Sequence, residues 1–153
     1  YVGLMIKNND PFLIEFNVRM GDPECQTILP TLKTDLFDVL TSCCDGKLNQ
    51  TSIDFSRSKS ICVVLCSKGY PEKFENKIEI KGLEQLKLLK NQNIFHAGTL
   101  KTKNGLVSNG GRVLSFVSTS DDFSKCRDEA VNLIKKLNWK YGYFRRDIGH
   151  KVI

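Results

Sequence analysis

Two apolar runs open the chain. Residues 1–7 (Y-V-G-L-M-I-K) and 12–20 (F-L-I-E-F-N-V-R-M) flank Asn8-Asn9-Asp10-Pro11, a turn signal, and so predict a β-hairpin. In the second run Ile14, Phe16, Val18 and Met20 alternate with Glu15, Asn17 and Arg19, which predicts a strand with one apolar and one polar face. After G-D-P-E the period changes. Leu32, Leu36, Val39, Leu40 and Cys43 recur at helical spacing with Asp35 and Asp38 elsewhere on the wheel, and Asp45-Gly46 is a stop. Pro30 lies before this helix or in its first turn. Residues 47–58 are polar and mixed, and mark a module boundary. S-I-C-V-V-L-C-S at 60–67 reads as a buried strand, broken by Lys68-Gly69-Tyr70-Pro71. Short strands follow at 77–81, 93–99, 112–118 and 141–144, with a helix or turn at 84–90 and a hairpin-type turn at Lys103-Asn104-Gly105. Asp121-Asp122 caps an amphipathic helix that presents Cys126, Ala130, Leu133, Ile134 and Leu137 on one face.

The pattern predicts an α+β fold. Residues 1–56 supply a hairpin plus helix, and residues 57–153 a small antiparallel sheet with one packed amphipathic helix. A hairpin alone is marginal in water. The first part therefore reads as the end of a larger α+β domain. The chain also begins directly in a strand-like run at Tyr1, as a piece of a longer polypeptide would.

Charge narrows the partners. Lys and Arg outnumber Asp and Glu by 23 to 17, a net +6, which suits an anionic partner such as a nucleotide or sugar phosphate. The basic residues form no block, and no repeated basic-aromatic pattern is present, so a nucleic-acid tail is not expected. A basic, non-catalytic module for nucleotide or nucleic acid stays open. It would bind with steep salt dependence and need neither Glu15 nor Asn17. Six cysteines, at 25, 43, 44, 62, 66 and 126, contain no C-x-x-C and read as free thiols in a reducing cytosol. No run of about 18 apolar residues could span a membrane, and no signal peptide is visible.

Glu15 and Asn17, two apart on a strand, would lie about 6.5–7 Å apart at the backbone. One carboxylate and one amide oxygen at that spacing suit a hard cation that also takes phosphate oxygens and waters. Arg19 on the same face could meet a phosphate or carboxylate. Gly21 and Pro23 fix a turn that presents Asp22 and Glu24, two acids suited to an amine. The alternative for this group is a wet sheet face with a surface ion network. Asn109-Gly110-Gly111-Arg112 is either an anion-binding turn or a plain hairpin turn. Arg145-Arg146-Asp147 is either an ion-pair cluster or a phosphate clamp. His96 reads as a satisfied strand histidine, and Trp139 and Tyr141 as core.

Together, Y-V-G-L-M-I, I-E-F-N-V-R-M-G-D-P-E-C-Q, G-Y-P, F-H-A-G-T, S-N-G-G-R-V-L and R-R-D-I-G, in that order, resemble the C-terminal part of the phosphoribosylamine–glycine ligase (glycinamide ribonucleotide synthetase) family. That family is in the ATP-grasp superfamily. The resemblance covers essentially the whole chain. It implies an ATP-dependent ligase of de novo purine synthesis, joining glycine to 5-phosphoribosylamine through a glycyl phosphate, with ADP and phosphate released. It implies that residues 1–56 end an ATP-grasp domain and 57–153 form the family's C-terminal domain. Glu15 and Asn17 become ligands of Mg²⁺ or Mn²⁺, and Arg19 a stabiliser of the phosphoryl or acyl-phosphate oxygens. Gly21, Asp22 and Glu24, with Arg112, Arg145 and Asp147, become candidates for substrate contact, with Gly110 and Gly111 beside them. The expected partners are ATP, glycine and 5-phosphoribosylamine, without nucleic acid or membrane, for a cytoplasmic monomer. The glycine-rich loop and lysines that hold ATP are expected upstream of Tyr1, so this piece alone is not expected to turn over. Two positions depart from the family pattern: Lys68 stands in the turn before Tyr70-Pro71 where a small residue is usual, and Met20 where Phe is common.

Overall fold

The computed structural model describes residues 1–153. In chain order the elements are β1 (Val2–Lys7), β2 (Asp10–Phe16), α1 (Glu24–Ile28), α2 (Leu36–Cys44), β3 (Lys59–Ser67), β4 (Gln92–His96), β5 (Thr99–Thr102), β6 (Gly105–Ser108), β7 (Arg112–Ser120), α3 (Phe123–Leu137) and β8 (Gly142–Tyr143). The main sheet has the order β4-β7-β3-β8, all antiparallel. β1–β2 and β5–β6 are separate two-stranded hairpins.

The core forms where β-branched and aliphatic residues recur in β3 and β7. Val63 pairs with Phe116 and Leu65 with Leu114 across the register. On that face Ile61, Val63, Leu65, Leu114 and Phe116 close over Cys126, Ala130, Leu133, Ile134 and Leu137 of α3. This is the apolar stripe expected from the helical spacing. Asp122 caps α3 by accepting from the Lys125 N–H at 2.9 Å. The opposite sheet face carries the alternate residues Cys62, Val64, Ser115 and Val117. There α1 packs on β3 and β7. Residues from both ends of the sequence thus cover the same sheet. Burial on that side raises the Cys62 thiol to about 11. All six cysteines are free, and no helix is long and apolar enough to cross a membrane.

Four local expectations are corrected. β2 stops at Phe16, short of residue 20. A register shift at Gly3/Leu4 leaves Ile14 as the extra residue of a bulge, and the ladder runs out of partner after the Asn17 N–H reaches the Tyr1 carbonyl at 2.9 Å. The expected helix around 32–45 is divided. Leu29–Thr31 forms a 3-10 turn containing Pro30, Leu32 bridges to Phe55, and α2 starts only where Asp35 accepts from the Phe37 N–H at 2.8 Å. The strand expected at 77–81 is a single bridge, Glu79 to Val107. Tyr141 is also not core, being 54% exposed.

A polar tie holds the far edge. Ser118 Oγ donates to Glu129 of α3, and Asn91 Nδ2 donates to the same carboxylate at 2.8 Å and to the Thr119 carbonyl at 2.8 Å. The Ser118 hydroxyl first, then the Asn91 and Gln92 amides, hold the Glu129 carboxyl below its ordinary range despite partial burial. A depressed folded value stabilises the fold above the unfolded value, about 4.3, and that contribution is lost as pH falls through the folded value. Glu129→Gln is therefore expected to cost about 1–2 kcal/mol at pH 7, with the gap to the parent narrowing in acid, as urea midpoints across that range will show. Phe116→Ala, at 0% exposure in the core, is expected to cost about 3–5 kcal/mol. Leu40→Ala, on the exposed side of α2, should stay within about 0.5 kcal/mol in the same urea series.

Candidate functional site

The end of the main sheet where β3 and β4 finish and β7 begins gathers the sequence motifs. Gly98 and Gly110 meet backbone to backbone. A Cβ on Gly98 would stand 2.6 Å from the Arg112 carbonyl and 2.9 Å from the Gly110 Cα, so only glycine fits. The Gly98 N–H donates to the Arg112 carbonyl at 2.8 Å, and the Asn109 N–H to the Gly98 carbonyl at 2.8 Å. F-H-A-G-T and N-G-G-R are thereby fastened together. Ser67 locks the other side: its N–H donates to the Gly111 carbonyl at 2.7 Å and its hydroxyl to the Gly110 carbonyl at 2.9 Å. A Cβ on Gly111 would drive into the Tyr70 ring. His96 Nδ1 pairs with Thr99 Oγ1 at 2.9 Å, as a satisfied strand histidine.

This frame aims Arg112 at the G-D-P-E turn. Arg112 Nη2 lies 3.1 Å from Asp22 Oδ2, and Nη1 donates to the Asp22 carbonyl at 3.0 Å. Gln26 Nε2 donates to the other carboxylate oxygen, Asp22 Oδ1, at 2.9 Å. Both Asp22 oxygens are thus committed within the chain. Gly21 is buried, and a Cβ there would collide with the Glu24 carboxylate. Glu24 Oε1 accepts from the Tyr1 hydroxyl at 3.1 Å, which raises the Tyr1 phenol. Arg19 sits in the bend after β2 and donates from Nη1 to the Met20 carbonyl at 2.8 Å.

Glu15 and Asn17 make no side-chain hydrogen bond within the chain. Glu15 is the penultimate residue of β2, opposite Gly3, and Asn17 follows just past the strand end. Their carboxylate and amide oxygens are the hard donors that Mg²⁺ or Mn²⁺ takes. No cluster of three or more His, Cys, Asp or Glu side chains accompanies them. A cation on this pair would draw its remaining ligands from phosphate oxygens, water or other residues.

Arg145 and Asp147 form a bidentate pair, Nη2–Oδ2 at 2.6 Å and Nε–Oδ1 at 3.0 Å. It lowers the Asp147 carboxyl and raises the Arg145 guanidinium. The pair is exposed and makes no hydrogen bond to the Asp22–Arg112 group. It does follow β8, whose Tyr143 lies across Cys66 from Arg112, so it leaves the sheet at the same end.

Residues 60–151 match the family described as phosphoribosylglycinamide synthetase, C domain. The chain belongs to that family. It is 40% identical over 154 residues to a phosphoribosylamine–glycine ligase of Rhodopirellula baltica, covering 100% of this chain and 35% of the relative. It is 41% identical over 157 residues to the chloroplastic phosphoribosylamine–glycine ligase of Arabidopsis thaliana, covering 100% and 30%. The crystal structure of phosphoribosylamine–glycine ligase from Thermotoga maritima superposes with a TM-score of 0.72 at 31% identity, over 97% of this chain and 36% of that one. The chain thus spans about a third of the length of the family members it matches.

Ser67, Tyr70, Gly98 and Gln26 build the glycine turn and its link to the G-D-P-E turn, though none was named as a candidate site residue from sequence. Ser67 and Gln26 carry no pattern that marks them, whereas the glycines of H-A-G-T and N-G-G-R were visible but not their mutual contact. Arg112→Ala is expected to cost about 1 kcal/mol or less of stability, since the pair is partly exposed. It should speed hydrogen exchange at the Cys25 amide, which donates to the Gly21 carbonyl at 2.9 Å, and leave the β3–β7 amides unchanged.

Proposed function

We propose that the chain is the C-terminal part of a phosphoribosylamine–glycine ligase, which uses ATP to join glycine to 5-phosphoribosylamine in purine biosynthesis. Residues 1–56 are read as the end of its ATP-grasp domain and 57–153 as its C-terminal domain. The observation that carries this is the Arg112–Asp22 junction. It joins the glycine turn of one part to the turn that follows Glu15, Asn17 and Arg19 in the other. A ligase needs its phosphate-handling and acceptor-handling residues held in one frame, because positioning supplies much of the rate.

A second observation supports the division. Leu4, Met5, Ile6, Phe12, Leu13, Ile14 and Phe16 of the β1–β2 hairpin are each more than half exposed. A hairpin this apolar is stable as part of a larger sheet or packed domain.

In this reading Glu15 and Asn17 hold Mg²⁺ or Mn²⁺. The bound metal supplies charge neutralisation at the transferring phosphoryl group. Arg19 faces the same anionic oxygens by exchanging its Met20 carbonyl contact for them. Gly21 keeps the turn tight where a side chain would displace Glu24. Glu24, half-buried with one oxygen on Tyr1, presents negative charge to an amine. Asp22 and Arg112 hold the two parts in register, and Arg145 and Asp147 border the same end of the sheet for the phosphorylated substrate. The enzyme works on small molecules as a cytoplasmic monomer, without nucleic acid or membrane.

The test replaces the matching third of the Rhodopirellula ligase with this chain and follows ADP release with ATP, Mg²⁺, glycine and phosphoribosylamine. Release that requires both glycine and the amine is expected. Glu15→Gln in the same chimera should lower turnover by about 10²-fold or more with unchanged thermal unfolding. Full turnover in that variant would remove the metal role.

A further inference from the structure

Lysines scattered through the sequence come together in one groove, which shares Ser67 with the glycine turn. A groove of about 510 Å³ is lined by Lys68, Lys73, Phe74, Trp139, Lys140 and Tyr141. Glu75 is the one acid on its wall. An adjoining hollow of about 500 Å³ shares Trp139, Lys140 and Tyr141 and adds Lys77 and Lys81. Of these five lysines only Lys81 has a carboxylate partner, Glu79 at 3.1 Å; the other four enter no ion pair. The lining thus carries more positive than negative charge, which favours an anion there.

The aromatic wall is fixed in place. Trp139 Nε1 donates to the Glu79 carbonyl at 2.9 Å, and the Lys68 N–H donates to the Tyr141 carbonyl at 2.8 Å. Trp139 also packs against the core, while Tyr141 is 54% exposed. Rigid aromatic surface next to unpaired cations is the arrangement that takes a flat base on one side and a phosphate on the other. The volume is that of a small-molecule site, and the Tyr70 ring stands edge-on to Phe74 at its border, with centroids 5.9 Å apart.

We propose that this groove binds a nucleoside monophosphate, with the base against Tyr141 and Trp139 and the phosphate on Lys68, Lys73 and Lys140. The site is separate from Glu15 and Asn17 and does not depend on the ligase reading.

Trp139 is the only tryptophan, so its fluorescence reports the groove directly. The chain is titrated with AMP at low salt without divalent metal, and in parallel with inorganic phosphate, adenosine and an oligoadenylate. A saturable change with AMP that weakens as salt rises is expected. Lys68→Ala with Lys140→Ala should weaken it by about tenfold or more, and Tyr141→Ala should also weaken it. These side chains are at the surface, so circular dichroism should be unchanged. Glu15→Gln with Asn17→Ala should leave AMP affinity as it was. No saturable change, or equal affinity in the double lysine variant, would overturn the site. Phosphate binding as tightly as AMP would overturn the nucleoside part, and an oligoadenylate binding much more tightly than AMP would overturn the mononucleotide in favour of a nucleic-acid strand.

Discussion

The β3–β7 pair is the constraint on which the rest depends. Nearly every residue of these two strands is buried or half-buried, so both faces of the pair must be covered. α3 covers one face, from the sequence that follows β7. α1 covers the other, from sequence before β3. A strand pair wanting cover on both sides therefore pulls the early segment against the later one. The G-D-P-E turn, which leads into α1, is carried to the end of β7 as a result. The Arg112–Asp22 contact completes a placement that apolar burial begins, which is why a partly exposed ion pair suffices there.

Long periodic elements were legible in the sequence. β3 and β7 are apolar runs without competing period, and the five buried residues of α3 are those its helical spacing marks. What was hidden depended on partners. The bulge at Ile14 arises from β1's register, and no property of I-E-F-N-V-R-M announces it. Leu32 fits a helical wheel but bridges to Phe55 instead, because Pro30 tightens the turn before it and Asp35 begins a new helix after it. Asp22 and Arg112 were each visible as chemistry-bearing residues, yet a pairing across 90 positions has no local trace. The lysine groove was hidden for the same reason. Charges that look dispersed along a chain converge when a loop and a helix end lie side by side.

The family fold and the two functional regions read differently in physical terms. At the glycine turn, backbone meets backbone so closely that side chains are excluded, and the polar groups satisfy one another. At Glu15 and Asn17, and in the lysine groove, polar groups are left without partners. The first arrangement keeps a shape, and the second leaves side chains free to meet solvent or the ligands proposed above.

The bare hairpin has a colloidal consequence. Its apolar side chains lie on a two-stranded ribbon with open edges, the kind of surface on which a second copy can dock strand to strand. The net charge of +6 opposes such docking, acting over a Debye length of about 10 Å at 0.1 M salt. Added salt removes that barrier while leaving the apolar ribbon intact. Strand-to-strand docking at this hairpin is thus opposed by charge and eased by added salt wherever the larger domain does not cover it.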